Sequence, residues 1–181
     1  MSKITITEAL AELKTVDKRL VKKREFVQKY LARMDVVKDP LEKDGGSVTA
    51  LQRERQAIGD LEERKIAIRR AIAETNAVTS LSVNGTARSM ADWLVWRREV
   101  APTRQQFLSQ LNATIQGVRD QATRKGGAIV ESGGGTKEAD VVVNINEINL
   151  SEDIEGLEET LGSLDGQLSL KNATTFVEIE D

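Results

Sequence analysis

The sequence predicts a mainly α fold: long antiparallel helices forming a bundle or coiled coil, with a small β-sheet attached. Three observations lead there. Two long charged stretches carry apolar residues at spacings of three and four. An Asn84-Gly85 pair sits between two short β-prone runs. Near the C-terminus Leu150, Ile154, Leu157, Leu161, Leu164 and Leu168 follow a strict 4-3-4-3-4 spacing, whose mean is the coiled-coil value. The expected sheet comprises a hairpin near 78–88, strands near 128–131 and 139–146, and a C-terminal strand.

The first helix opens at Thr5, with Glu8 three positions on as the partner of a capping box. Its stripe is Ile6, Leu10, Leu13, Leu20, Val27, Leu31 and Met34, with Asp17 and Arg24 standing where apolar residues are expected. Pro40 and Gly45-Gly46 end it and form a loop. A second helix from about Val48 to Glu74 carries Leu51, Ile58, Leu61, Ile68 and Ile72, and the short connection sets the pair antiparallel. Asn84-Gly85 suits the two positive φ angles of a type I′ turn, which makes Val78–Val83 and Thr86–Arg88 a hairpin. Ser89 with Asp92 caps a third helix bearing Trp93, Leu94, Val100, Leu108, Leu111, Ile115 and Val118, which Pro102 should kink near Ala101 unless the helix restarts there. It stops at Lys125-Gly126-Gly127. "AIVE" and "ADVVVNINEI" then read as strands around the glycine-rich tip "SGGGTK", and "TTFVEIED" as a terminal strand.

The aliphatic seam cannot stand alone. Its helix holds Gly156, Gly162 and Gly166, each costing about 1 kcal/mol relative to alanine. Burying its six aliphatic side chains returns roughly 9–18 kcal/mol as an upper bound, so the helix forms only where something covers the stripe. The cover is either the earlier helices of the same chain or an equivalent stripe on another copy. A sparse core weights the second.

That sparseness is compositional: 39% hydrophobic, 3% aromatic and 30% charged residues over 181 positions suit one elongated domain better than a sphere. Within it, residues 1–125 make a basic three-helix part with the hairpin, and 126–181 an acidic strand-helix-strand part. The first holds 24 Lys+Arg against 16 Asp+Glu, the second 2 against 13. Such polarity suits contact between copies. "MSKITITEAL" has no secretory apolar run, and no stretch reaches the ~18 apolar residues of a membrane span, so the expected location is the cytoplasm or a virion.

The chemistry is restricted. With no cysteine and no histidine, the chain lacks thiolate nucleophiles, zinc–cysteine sites and the commonest general base. The glycines of "KGGAIVESGGGTK" do not make a phosphate loop, because Lys137 follows Thr136 instead of preceding it. Carboxylate pairs such as Glu62-Glu63 and Glu158-Glu159 read as solvated helix faces, and no calcium-loop spacing occurs. The expectation is no enzyme, no cofactor and no metal. On the first helix Lys14, Lys18 and Lys22 share a face that Arg19 and Lys23 extend, an anion-contacting surface able to follow phosphates. The acidic total argues against a dedicated nucleic-acid binder.

The order "TEALAELKTVDKRL", then "AIAETNAVTSLSVNGTARSMADWLVWR", then "VVVNINEINLSEDIEGLEETLGSLDGQLSLKNATTF" resembles the septicolysin-like family of small bacterial and phage-encoded helical proteins. The resemblance rests on Glu8, Ala9 and Leu10; on Thr75, Asn76, Thr79, Gly85 and Asp92; and on Leu164, Asp165, Asn172 and Thr175. The chain departs from it in the glycine-rich insertion at 132–136 and in Trp93 and Trp96. It implies a coiled-coil oligomer with a small β element and, for some members, a toxin label; it supplies no catalytic residues. A membrane-piercing hairpin fits poorly, since "AIVE" is too short and Glu147 falls in the row of Val141, Val143 and Ile145. The expected function is therefore a non-enzymatic building block whose partners are itself and other virion proteins, with a pore-forming toxin and a nucleic-acid-contacting protein as the alternatives.

Overall fold

The computed structural model describes residues 2–179, in a mainly α fold with two small antiparallel sheets of two strands each. The elements are β1 (Ser2–Thr5), α1 (Ile6–Tyr30), α2 (Ser47–Val78), β2 (Ser80–Val83), β3 (Thr86–Ser89), α3 (Met90–Val95), α4 (Ala101–Arg124), α5 (Glu147–Thr174) and β4 (Phe176–Ile179). They gather into two compact units. The first contains the residues up to Thr79 and those from Ser169 onward; the second is Ser80–Leu168. The charge boundary near residue 125 falls inside the second.

In the first unit, the Thr5 hydroxyl accepts from the Glu8 amide while the Glu8 carboxylate accepts from the Thr5 amide at 2.7 Å, closing the expected capping box. α1 and α2 lie antiparallel, cross-linked by Glu12–Arg64 and Lys23–Glu54. Asp17 and Arg24, which interrupt the apolar stripe, face α2 and pair with Lys65 at 2.6 Å and Glu62 at 2.7 Å. The buried set is Ile6, Ala9, Leu13, Val16 and Leu20 from α1 with Ala50, Ile68 and Ala71 from α2. Leu31 and Met34 do not belong to it: α1 ends at Tyr30, and both lie exposed in the loop beyond. Asp39 organises that loop, accepting from the Ser47 hydroxyl and amide and the Leu41 amide; these bonds hold its carboxyl down to about 2. β1 was not foreseen. It pairs antiparallel with β4, Ile4 opposite Val177, and Val177 and Ile179 are buried. The last two residues of the expected terminal strand lie outside the described residues.

In the second unit the hairpin forms as expected, with Val83 opposite Thr86 and positive φ at Asn84 and Gly85. It does not join the terminal strand in one sheet; β2–β3 and β1–β4 are separate. Trp93 is buried beneath it and donates Nε1–H to the Leu81 carbonyl at 3.0 Å. Ser89 caps α3 as its spacing with Asp92 suggested. Pro102 produces no break. The helix passes through one π-helical turn, Trp96–Val100, and Pro102 occupies the first turn of α4, where a missing N–H costs least. The strands expected at 128–131 and 139–146 reduce to one parallel bridge, Ile129 to Val141. The glycines there favour tight turns over a ladder.

Candidate functional site

All six seam residues lie on α5. Leu150, Leu157, Leu164 and Leu168 are buried, and Ile154 and Leu161 are half-buried. Leu150 and Leu157 share a core cluster with Ala101, Leu108 and Ile115 of α4, against which Ile154, Leu161, Ile129 and Val143 also pack. Of the two covers expected for the seam, the intramolecular one is observed; a second copy is not needed to hide it. Ion pairs border it: Arg97 to Asp165 at 2.5 Å, Arg104 to Asp153 at 3.4 Å and Arg119 to Glu147 at 2.8 Å. Each is partly solvated and adds alignment more than stability.

The α1 cations divide. Lys23 is committed to Glu54 at 2.8 Å. Lys14, Lys18, Arg19 and Lys22 are exposed and make no ion pair among the described residues. Two neighbouring carboxylates, Glu12 and Asp17, are taken up by α2, and a third, Glu25, is exposed three positions beyond Lys22. α5 presents the opposite sign on the side away from its seam: Glu152, Glu155 and Glu159 are exposed and likewise unpaired among the described residues, with Glu158 on the flank. Gly156, Gly162 and Gly166 leave open space where side chains would stand.

Asp140 was missed in the sequence. One carboxylate oxygen accepts from the Ala128 amide and the other from the Thr136 and Lys137 amides, at 2.8–2.9 Å. The bonds from Lys137, Ala128 and Thr136 hold its carboxyl below the usual range. Beneath them Gly127 is compulsory, because any Cβ would collide with the Ala139 carbonyl. The cleft beside this knot is lined by Gln121, Lys125, Lys137 and Glu138, but the Lys137 ammonium is tied to the Gly126 carbonyl. Asp140→Ala is expected to accelerate amide exchange at Ala128, Thr136 and Lys137 while leaving α4 amides protected. With a depressed folded pKa, the knot is fully formed above the ordinary aspartate range near ~4 and loosens only as pH falls through the lower folded value. Exchange measured by NMR against pH checks both.

Several threonine hydroxyls are occupied within their helices. Thr15, Thr103, Thr114, Thr123 and Thr160 each donate to the carbonyl four residues earlier in their own helix. Among the described residues no group of three acidic side chains is placed to hold a metal ion, and no helix is long and apolar enough to cross a membrane. What stands out instead is apolar surface. Leu31, Met34, Val36, Val37 and Val48 surround the α1–α2 connection, with Met34 76% and Val36 92% exposed. Val95, Val100 and Phe107 are exposed along the end of α3, the π-helical turn and α4.

A scan of family models finds no match, and a search of curated proteins finds none. Among solved structures the chain is similar to a functionally unknown conserved protein from Corynebacterium diphtheriae, at TM-score 0.50 and 18% identity over 98% of this chain and 100% of that one. At that identity the likeness concerns the fold alone.

Proposed function

We propose that the protein is a non-enzymatic structural subunit that assembles with copies of itself, as a phage virion component does. The observation that carries this reading is the uncovered apolar set at the α1–α2 connection. Leu31, Met34, Val36, Val37 and Val48 fall within 18 consecutive positions and are all exposed. Isolated exposed aliphatics are ordinary, but five around one connection support a contact surface there. The chemistry supports the same reading, since the five threonine hydroxyls named above and the paired interhelical carboxylates are engaged in holding the fold.

Light scattering behind a sizing column tests it. The expected result is a mass that is a multiple of the 20.0 kDa chain, lowered in Met34→Ser/Val36→Ser with helicity retained. A wild-type monomer at every concentration would overturn the reading. The same apolar set favours one alternative, membrane contact of the toxin kind: release of dye from lipid vesicles by the wild type, abolished in the same double variant, would replace assembly with it.

A further inference from the structure

We infer that the exposed cation row of α1 is a docking surface for a second copy of this chain, whose exposed carboxylate row on α5 is the occupant. The inference rests on the assembly reading above and adds the contact that would carry it. Lys14, Lys18 and Lys22 advance by four residues at a time along the side of α1 opposite Leu13, Val16 and Leu20, a row about 12 Å long at the helical rise. Glu152, Glu155 and Glu159 run along the side of α5 opposite Leu150, Leu157 and Leu164, over about 10 Å. The rows have opposite sign, the same number of charges and nearly the same length. Arg19 flanks one and Glu158 the other.

Among the described residues neither row makes an ion pair. Of the carboxylates beside the cation row, Glu12 and Asp17 are held by Arg64 and Lys65 while exposed Glu25 stands at its far end, and the arginines facing α5 are held by Asp165, Asp153 and Glu147. The uncovered backbone at Gly156 and Gly162 lets long lysine side chains reach across the carboxylate row without meeting a neighbour. Two copies can make the contact twice about a two-fold axis, or once head to tail, in which case repetition gives a ring or an open chain of subunits. The contact also competes with the other occupant that a basic row invites, a nucleic-acid backbone. The acidic row of a neighbouring copy is present at the concentration of the protein itself, and the net charge of −3 disfavours approach to a polyanion.

The experiment is a charge swap read by sedimentation velocity at low and high salt. Assembly of the wild type is expected near 0.01 M salt, where screening acts over about 30 Å, and should weaken about tenfold or more near 1 M, where it acts over about 3 Å. Lys14→Glu/Lys18→Glu/Lys22→Glu alone should not assemble by this contact, nor should Glu152→Lys/Glu155→Lys/Glu159→Lys alone; mixing the two should restore it. Circular dichroism on each triple variant checks that its helices persist, and the salt dependence of the wild type tests the contact without any substitution. If both variants assemble as the wild type does, this contact is wrong while the assembly reading stands. If the wild type is a monomer at both salts, the assembly reading fails and the contact with it. A monomeric wild type that binds a fluorescent DNA duplex, with the lysine variant losing that binding, would identify nucleic acid as the occupant and overturn the self-docking.

Discussion

Leu164→Ala is expected to lower the stability of the Ser80–Leu168 unit by about 2–5 kcal/mol, because a fully buried leucine is replaced by a side chain that leaves a cavity behind it. At about 3 °C per kcal/mol for a chain of this size, the midpoint should fall by on the order of 10 °C. The cost falls at the high end where surroundings cannot collapse, and helix α5 cannot easily move inward: Arg97–Asp165 and Arg104–Asp153 fix its outer edges, and Leu157 and Leu150 are already seated among Leu108 and Ile115. Trp93 and Trp96 both belong to this unit, so a thermal melt followed by tryptophan fluorescence reads it directly. Ile148→Ala on the same helix and in the same unit is the control. That side chain is 70% exposed and should change the stability by less than about 0.5 kcal/mol. Equal effects at the two positions would mean that the seam is not the core of this unit.

Local chemistry was legible in the sequence wherever cause and effect lie within a few residues. The Thr5/Glu8 capping box, the Ser89 cap and the Asn84-Gly85 turn each require only short-range bonds, and all three are present. The 4-3-4-3-4 spacing located the buried side of α5 for the same reason: a helix repeats its geometry whatever covers it. The identity of the cover was not legible, since periodicity marks a face and is silent on its neighbour. Leu108 and Ile115 of α4 have the same spacing as a partner in another copy would have. β1 escaped notice because its partner, Phe176–Ile179, stands at the far end of the chain, and pairing between distant segments leaves no local trace. Asp140 escaped because one aspartate receiving three loop amides looks in sequence like any solvated charge. Asp17 and Arg24 were visible as faults in a stripe, and their pairing with Lys65 and Glu62 accounts for them. Of the charged surface, the α1 row was legible from its four-residue spacing. That Lys23 leaves the row for Glu54 was not, because Glu54 lies on another helix.

Val177→Asp is expected to have the largest effect in the other unit. Val177 has no exposed surface, stands opposite Ile4 across the β1–β4 ladder, and belongs to the strand that packs on α1 and α2. A carboxylate placed there has no cation within its own ladder, since Lys3 lies in register with Glu178 on the other face. An uncompensated buried charge costs about 3–5 kcal/mol, comparable with the stabilisation that such a small sheet can draw from its packing. The strand should therefore detach, releasing the Ile6 amide from the Thr175 carbonyl and uncovering Ile6. Burial raises the folded pKa of the new carboxyl, so the penalty is small below its unfolded value near ~4 and grows as pH rises above it. The variant should accordingly regain protection of the β1 and β4 amides in acid and lose it at neutral pH, as hydrogen exchange would record. Glu178→Gln, one position on and exposed, should leave that protection unchanged. A Val177→Asp chain whose strand amides stay protected at neutral pH would show that the β1–β4 pair does not depend on an apolar side chain at this position.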